Sequence, residues 1–160
     1  MPLQVGEKMP SGVFGVMTDA GPGAVSTDEL FAGNKVVLVS VPGAFTQTCS
    51  SKHLPGFLSH ADEIFAKGVD TIAFTAVNDI SVMDAWGEHQ GVGSKILMLA
   101  DGNGEYAEAL GIIYDGSPFG MGKRGSRAAF IVEDGVATNV ALEAPGKFEV
   151  SSAESILAAL

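Results

Sequence analysis

The chain has 160 residues, of which 46% are hydrophobic and 18% charged, so it has the composition of a folded protein rather than a disordered one. Nine lysines and arginines against nineteen aspartates and glutamates give a formal net charge of -10, which argues against nucleic acid or an anionic membrane surface as a partner. With one cysteine, no signal-peptide pattern and no run of roughly 18 apolar residues, we expect a single domain over residues 1–160 in the reducing cytoplasm.

Two signals mark the start of the regular structure. Ser26 and Glu29 form a capping-box pattern, in which each side chain accepts a hydrogen bond from the other residue's backbone amide, so a helix is predicted to begin there. The apolar run over residues 35–41 predicts a strand buried on both faces. Pro42 and Gly43 end that strand, because proline has no amide proton to give to a sheet.

Helix and strand patterns then alternate along the middle of the chain. Helix-like spacing covers residues 54–67 and 81–90, and apolar runs that predict buried strands cover residues 69–77 and 95–100. With the preceding strand they give the order β, α, β, α, β, which is typical of parallel strands joined by crossover helices.

The last third of the chain predicts an antiparallel addition to this sheet. Residues 127–133 and 136–142 are strand-like and flank Asp134 and Gly135, a strong signal for a two-residue hairpin turn. The sheet is therefore predicted to be mixed.

A second capping box, at Ser151 and Glu154, predicts a final helix that ends at Leu160. The predicted fold class is α/β, with a central mixed β-sheet flanked by helices on both faces, and this arrangement resembles the thioredoxin-like fold.

Cys49 stands in the segment PGAFTQTCSSKHLPGF, residues 42–57, where hydroxyl side chains surround it. Serine and threonine before an apolar-periodic stretch predict a helix that begins near the cysteine. Free amides and the positive end of the helix dipole favour the thiolate there, and the thiolate is the nucleophile. A fast reaction also needs groups that stabilise charge on a leaving atom. The candidates are the hydroxyl of Thr46 and an arginine, either Arg124 or Arg127.

Three other interpretations of Cys49 stay open on the residues alone. A free cysteine is most often a buried, small apolar residue with a structural role. It also fits a non-enzymatic redox sensor or interaction protein, in which a partner recognises slow oxidation of the thiol. His53 lies one helical turn further on, so a cysteine–histidine hydrolase is a third possibility.

Two further patterns carry little weight. Residues 120–125, GMGKRG, match the dinucleotide-binding pattern G-x-G-x-x-G, but no strand precedes them and no helix pattern follows. The histidines His53, His60 and His89 do not have the spacing of metal ligands. We therefore expect no cofactor and no metal ion.

The cysteine segment resembles the peroxidatic segment of the peroxiredoxins, whose motif is Pro, three residues, Thr or Ser, two residues, Cys. Pro42, Thr46 and Cys49 occupy those positions. The likeness extends from about residue 5 to the C-terminus and is greatest to the type II, or fifth-class, peroxiredoxins. Three further segments carry it: SKHLPGF at 51–57, AVNDISVMDAWGEHQG at 76–91 and GKRGSRAAFIVEDGV at 122–136.

The resemblance implies a thioredoxin-like fold and reduction of hydrogen peroxide and organic hydroperoxides. It implies that the Cys49 thiolate attacks the peroxide and becomes a sulfenic acid. It further implies that Thr46 hydrogen-bonds the sulfur and the peroxide, that Pro42 shields the pocket, and that Arg127 stabilises the thiolate and the polarised O–O bond.

The chain departs from the pattern of this group at two positions. Gln47 stands where a proline is common, so a rigid φ angle is lost beside the active-site loop. Val150 stands where some members carry a resolving cysteine, so the resemblance implies recycling by an external thiol such as glutathione, glutaredoxin or thioredoxin. It also implies a homodimer. His53 matches a histidine frequent in the group, and on residue type we interpret it as a helix-surface residue.

Overall fold

The computed structural model describes residues 1–160, and its centre is a seven-stranded mixed sheet with the strand order β2-β1-β5-β4-β3-β8-β9. A separate two-stranded ribbon pairs β6 with β7. The strands are β1 (Val13–Thr18), β2 (Gly21–Ser26), β3 (Lys35–Ser40), β4 (Thr71–Ala76), β5 (Leu97–Ala100), β6 (Ile113–Asp115), β7 (Lys123–Gly125), β8 (Ala128–Glu133) and β9 (Val136–Leu142).

Six α-helices, one π-helical turn and one 3-10 turn connect these strands. The π-helical turn covers Cys49–His53 and leads directly into the second helix, and the 3-10 turn covers Ser117–Phe119. The helices are α1 (Thr27–Phe31), α2 (Leu54–Ser59), α3 (Ala61–Ala66), α4 (Ile80–Gln90), α5 (Glu105–Ala109) and α6 (Ala153–Ala159). None of them is long and apolar enough to cross a membrane.

The centre of the sheet is parallel and its flanks are antiparallel. β3 pairs in parallel with β4, and β4 pairs in parallel with β5, as the alternation of strands and helices predicts. β8 runs antiparallel to β3, and β9 continues that side of the sheet. The predicted mixed α/β sheet of the thioredoxin-like fold is therefore confirmed.

Alternate residues of β3 belong to two separate hydrophobic cores. Val37 and Val39 pack with residues of α2, α3, α4 and α6, whereas Val36 and Leu38 pack with residues of α1 and α5. All four side chains are fully buried. This alternation follows from the period of two in a strand, and it confirms that helices cover both faces.

The hairpin and the first capping box form as predicted. Asp134 and Gly135 have φ angles of 47° and 82°, the left-handed pair that a two-residue type I′ turn requires. Ser26 and Glu29 exchange both hydrogen bonds of the capping box at the start of α1.

Two local predictions are wrong, and one hairpin was missed. The N-cap of α6 is Ser152, whose side chain accepts from the amide of Ser155, while the Ser151 hydroxyl donates to the Glu143 carboxylate. The single helix predicted over residues 54–67 is divided between α2 and α3, although backbone hydrogen bonds cross the break at His60. The hairpin of β1 and β2 was not predicted, because Gly21-Pro22-Gly23 is a poor strand sequence that tertiary pairing overrides.

Candidate active site

Cys49 lies at the beginning of a helical stretch, as its polar surroundings predict. The first α-helical hydrogen bond runs from the Ser50 amide to the Thr46 carbonyl at 2.9 Å. The amides of residues 47–49 therefore come before the first intrahelical bond and have no acceptor within the helix. The cysteine itself is fully buried. Backbone amides without an intrahelical acceptor thus lie at and directly before a cysteine that is withdrawn from bulk water.

The helix is wider than usual directly after the cysteine. The Leu54 amide donates to the Cys49 carbonyl five residues earlier, which defines the π-helical turn. Pro55 follows at the start of α2; it has no amide proton, and its ring crowds the carbonyl four residues before it. Pro55 is therefore the sequence signal from which this irregular turn could have been anticipated.

Arg127 reaches the sulfur from the neighbouring strand. It directly precedes β8, whose first residue, Ala128, pairs with Ser40 at the end of β3. This register places the arginine beside the loop that leads to Cys49. Its Nη2 lies 3.1 Å from the Cys49 Sγ.

Arg124, the other arginine, is used differently. Its Nε donates to the Met121 carbonyl at 2.9 Å and its Nη1 donates to the Val77 carbonyl at 3.1 Å. The structure thus brings Arg127, and not Arg124, against the sulfur, and Arg124 ties the loop before β7 to the end of β4.

His53 is fully buried, so its interpretation as a helix-surface residue is wrong. Its Nδ1 accepts a hydrogen bond from Arg127 Nη1 at 2.7 Å, and its Nε2 donates to the Ser151 carbonyl at 2.8 Å. A guanidinium can only donate and a carbonyl can only accept, so these partners select the tautomer with the proton on Nε2. His53 therefore holds the second arm of the guanidinium whose first arm contacts the cysteine.

The His53 ring is neutral at pH 7. Burial lowers its pKa from 6.5 to about 4, and the positive charge of Arg127 acts in the same direction against the hydrogen bond to Ser151. A neutral ring can accept from Arg127, whereas a protonated ring would repel it. Residue type alone did not reveal this role.

The loop before Cys49 is held by short local hydrogen bonds. The Thr46 hydroxyl donates to the Gly43 carbonyl at 2.7 Å, and the Ala44 amide donates to Asn78 Oδ1 at 2.9 Å. The bond from Thr46 to the sulfur that the family resemblance implies is not formed, because the hydroxyl proton is directed to Gly43. Pro42 is half-buried in the same loop, and its shielding role stays a prediction.

Phe45 has a φ angle of 63°, a left-handed conformation that is uncommon for a residue with a side chain. It lies next to Thr46 and is half exposed. Strain of this kind persists only where the surroundings hold it, and it is frequent at functional sites. Gln47 follows without the rigid φ of a proline, and the loop keeps its form through the bonds of its neighbours.

Helix α4 supports the other side of the cysteine turn. Trp86 Nε1 donates to the Ser50 hydroxyl at 2.9 Å, and Gln90 Nε2 donates to the Ser50 carbonyl at 3.0 Å. Both bonds end on the residue that follows Cys49. Trp86 is fully buried in the hydrophobic core.

This geometry excludes a cysteine–histidine hydrolase. Both ring nitrogens of His53 are engaged, with Arg127 and with the Ser151 carbonyl, and neither contacts the sulfur of Cys49. The histidine therefore cannot take the thiol proton as a general base. The dinucleotide pattern is also excluded at residues 120–125, because they contain β7 rather than a turn into a helix.

Known proteins resemble this chain over nearly its whole length, and not only in the cysteine segment. The Redoxin family model matches residues 4–157. The chloroplastic Peroxiredoxin-2E-2 of Oryza sativa subsp. japonica is 48% identical over 163 residues, which span 99% of this chain and 72% of the relative. Reduced Prx3 of Vibrio vulnificus, solved in complex with H2O2, is 50% identical with a TM-score of 0.94 and covers 98% of each chain.

A further solved structure is described as a one-cysteine peroxiredoxin, the antioxidant protein of Plasmodium falciparum. It is 27% identical, has a TM-score of 0.89 and covers 96% of each chain. The family model, the fold and the motif around Cys49 therefore all indicate one family. The chain belongs to the peroxiredoxins, in the type II or fifth-class group, and is a thiol peroxidase with a single cysteine.

Proposed function

We propose that Cys49 reduces hydrogen peroxide and organic hydroperoxides with Arg127 as the main electrostatic catalyst. The thiolate attacks the terminal peroxide oxygen, a S–O bond forms and the O–O bond breaks. The leaving oxygen takes a proton and departs as water or an alcohol, and Cys49 becomes a sulfenic acid. The observation that carries this assignment is the 3.1 Å contact between Arg127 Nη2 and the buried Cys49 Sγ.

Thiolate formation alone is too small an effect for a fast enzyme. A free thiol is roughly 3% ionised at pH 7, so complete ionisation raises the reactive fraction only about thirtyfold. The remaining acceleration requires donors already placed where charge develops on the departing oxygen. Arg127 is always protonated, has a rigid fork of donors and is held on both sides, which supports this role.

Thr46 and the free helix amides would orient the peroxide. Because the Thr46 hydroxyl gives its proton to the Gly43 carbonyl, its oxygen is left as an acceptor for the peroxide O–H. The amides of residues 47–49 would donate to the peroxide oxygens. Pro42 would limit access of water to the sulfenic acid.

The sulfenic acid must be reduced by an external thiol, because the chain has no second cysteine. Peroxiredoxins use a peroxide substrate and a thiol reductant, and glutathione, glutaredoxin and thioredoxin are the proposed candidates here. Val150, at the position of a resolving cysteine in some relatives, supports this one-cysteine cycle. We further propose a homodimer and a cytoplasmic location, supported by the family resemblance and by the unpaired thiol respectively.

Rapid mixing with hydrogen peroxide tests the proposal, with Trp86 fluorescence and the mass of the protein as readouts. We expect oxidation many orders of magnitude faster than that of free cysteine, a gain of one oxygen atom on Cys49, and no reaction in Cys49→Ser. Rates equal to free cysteine would instead favour the non-enzymatic redox sensor. A reductant screen at fixed peroxide then identifies the external thiol.

A further inference from the structure

Glu143 is a nearly buried carboxylate close to the catalytic arginine, and no step described above uses it. It is 7% exposed and directly follows β9. Its Oε2 accepts four hydrogen bonds, from the amides of Glu149, Val150 and Ser151 and from the Ser151 hydroxyl, at 2.7 to 2.9 Å. A buried charge with this many donors is a built site rather than a surface accident.

The bonds to Glu143 fix the backbone turn of residues 149–151, and that turn holds His53. The Ser151 carbonyl accepts the Nε2 proton of His53 at 2.8 Å, and His53 Nδ1 in turn accepts from Arg127 Nη1 at 2.7 Å. The other arm of the guanidinium ends on Cys49. An unbroken series of hydrogen bonds therefore leads from the carboxylate to the sulfur.

Two further contacts tie the same segment to the arginine. The Glu143 amide donates to the Arg127 carbonyl at 3.0 Å, so the backbones of the two residues are paired. Phe148, in the loop that the carboxylate closes, packs its ring 4.9 Å from the His53 ring and 5.8 Å from Arg127 Cζ. Loss of the turn would thus loosen His53 from two directions.

We infer that Glu143 is a positioning residue for peroxide reduction: through the turn of residues 149–151 and through His53, it holds the guanidinium of Arg127 against Cys49. A carboxylate suits this task because its charge strengthens all four hydrogen bonds to one oxygen. The inference rests on the proposed role of Arg127 at Cys49.

Glu143→Gln tests this role, because it keeps the size of the side chain and removes its charge. The matched control is Glu149→Gln, which removes the same charge in the same loop from an exposed side chain. Two readouts are used: the rate constant with hydrogen peroxide, followed by Trp86 fluorescence, and the pH midpoint of Cys49 alkylation by iodoacetamide. We expect Glu143→Gln to lower the rate constant about tenfold and to raise the alkylation midpoint. Glu149→Gln should stay within about twofold of the parent.

A double variant tests whether the effect passes through His53. His53→Leu removes both ring nitrogens, and with them the donor to the Ser151 carbonyl and the acceptor for Arg127. If Glu143 acts through His53, adding Glu143→Gln to His53→Leu changes the rate constant little further. If the two substitutions instead lower the rate constant by independent factors that multiply, Glu143 does not act through His53 and the inference is overturned.

The remaining outcomes separate positioning from simple stability. If Glu143→Gln melts at a lower temperature but matches Glu149→Gln in rate constant and midpoint, the residue is only structural and the inference is overturned. Should Glu143→Gln not fold, Ser151→Ala removes one of the four bonds, and we expect a several-fold slower reaction with the same direction of midpoint shift. Unchanged values in Ser151→Ala would contradict the inference. If the parent chain itself proves no faster than free cysteine, the proposed function fails, while the alkylation midpoints still test Glu143.

Discussion

Trp86 donates a hydrogen bond from its indole nitrogen to the hydroxyl of Ser50, the residue that follows Cys49. The indole is fully buried, so its emission depends on this one polar contact and on the apolar residues around it. Oxidation of Cys49 adds an oxygen atom beside that contact. We therefore expect the fluorescence of the chain's only tryptophan to change when its only cysteine is oxidised.

We expect Ser50→Ala to reduce the fluorescence change of Trp86 on peroxide addition, because the link to the cysteine turn is lost. The oxidation rate, measured independently by mass spectrometry of quenched samples, should change by much less than it does in an Arg127 variant. A full fluorescence change in Ser50→Ala would show that the signal arises by another route.

Arg127→Ala should lower the rate constant for peroxide by about 10²-fold, the usual scale for loss of one preorganised donor. Arg127→Lys should recover little of it, since one ammonium group cannot contact Cys49 and His53 with the geometry of a guanidinium. Stopped-flow fluorescence measures both variants.

Arg124→Ala is the matched control for these variants, because it removes the same side chain from the bonds to the Met121 and Val77 carbonyls. We expect it to lower the melting temperature and to leave the rate constant of the folded protein within several-fold. Equal rate losses at the two arginines would contradict a specific role for Arg127.

Thr46→Val should also slow peroxide reduction by about 10²-fold, because valine neither donates to the Gly43 carbonyl nor accepts from the peroxide. Thr46→Ser keeps the hydroxyl and should recover most of the rate. The rate constants of both variants are measured over a series of peroxide concentrations. A Thr46→Val variant as fast as the parent would show that Thr46 has no role in peroxide reduction.

The buried His53 makes stability depend on pH. Its pKa falls from 6.5 in the unfolded chain to about 4 in the folded protein, so between these values the unfolded state binds the additional proton. The contribution of neutral His53 to the free energy of unfolding is complete above pH 6.5 and is lost as the pH falls towards 4. It amounts to about 3 kcal/mol at most. Denaturant titrations at several pH values measure it.

The control for this pH dependence is His53→Gln, which cannot take up the proton. We expect the difference in unfolding free energy between the parent and His53→Gln to shrink as the pH falls from 6.5 to 4. A difference that stays constant across this window would mean that His53 does not titrate as described. Burial raises the pKa of Glu143, but its four hydrogen bonds together lower it below the usual value of a glutamate. The negative charge of Glu143 in turn raises the pKa of His53, against the larger effect of burial.

Local sequence accounts for much of the fold. The apolar runs of β3, β4 and β5, the Asp134-Gly135 turn and the Ser26 capping box are each determined by residues close together in the chain. Local interpretation fails at the last helix: the sequence pattern predicts Ser151 as its N-cap, but the Ser151 hydroxyl donates to the distant Glu143 carboxylate and the adjacent Ser152 caps the helix.

The sequence by itself predicted Cys49 as the nucleophile, placed it near the start of a helix and indicated the family, because the motif of Pro42, Thr46 and Cys49 is local. The residues alone left Arg124 and Arg127 open and the family resemblance pointed to Arg127, whereas only the tertiary structure shows that a buried His53 holds its guanidinium beside the sulfur. The Arg127–Cys49 contact spans 78 positions and the His53–Ser151 contact spans 98. Contacts at such separations depend on which strands pair and in which register, and no local pattern of residues encodes that.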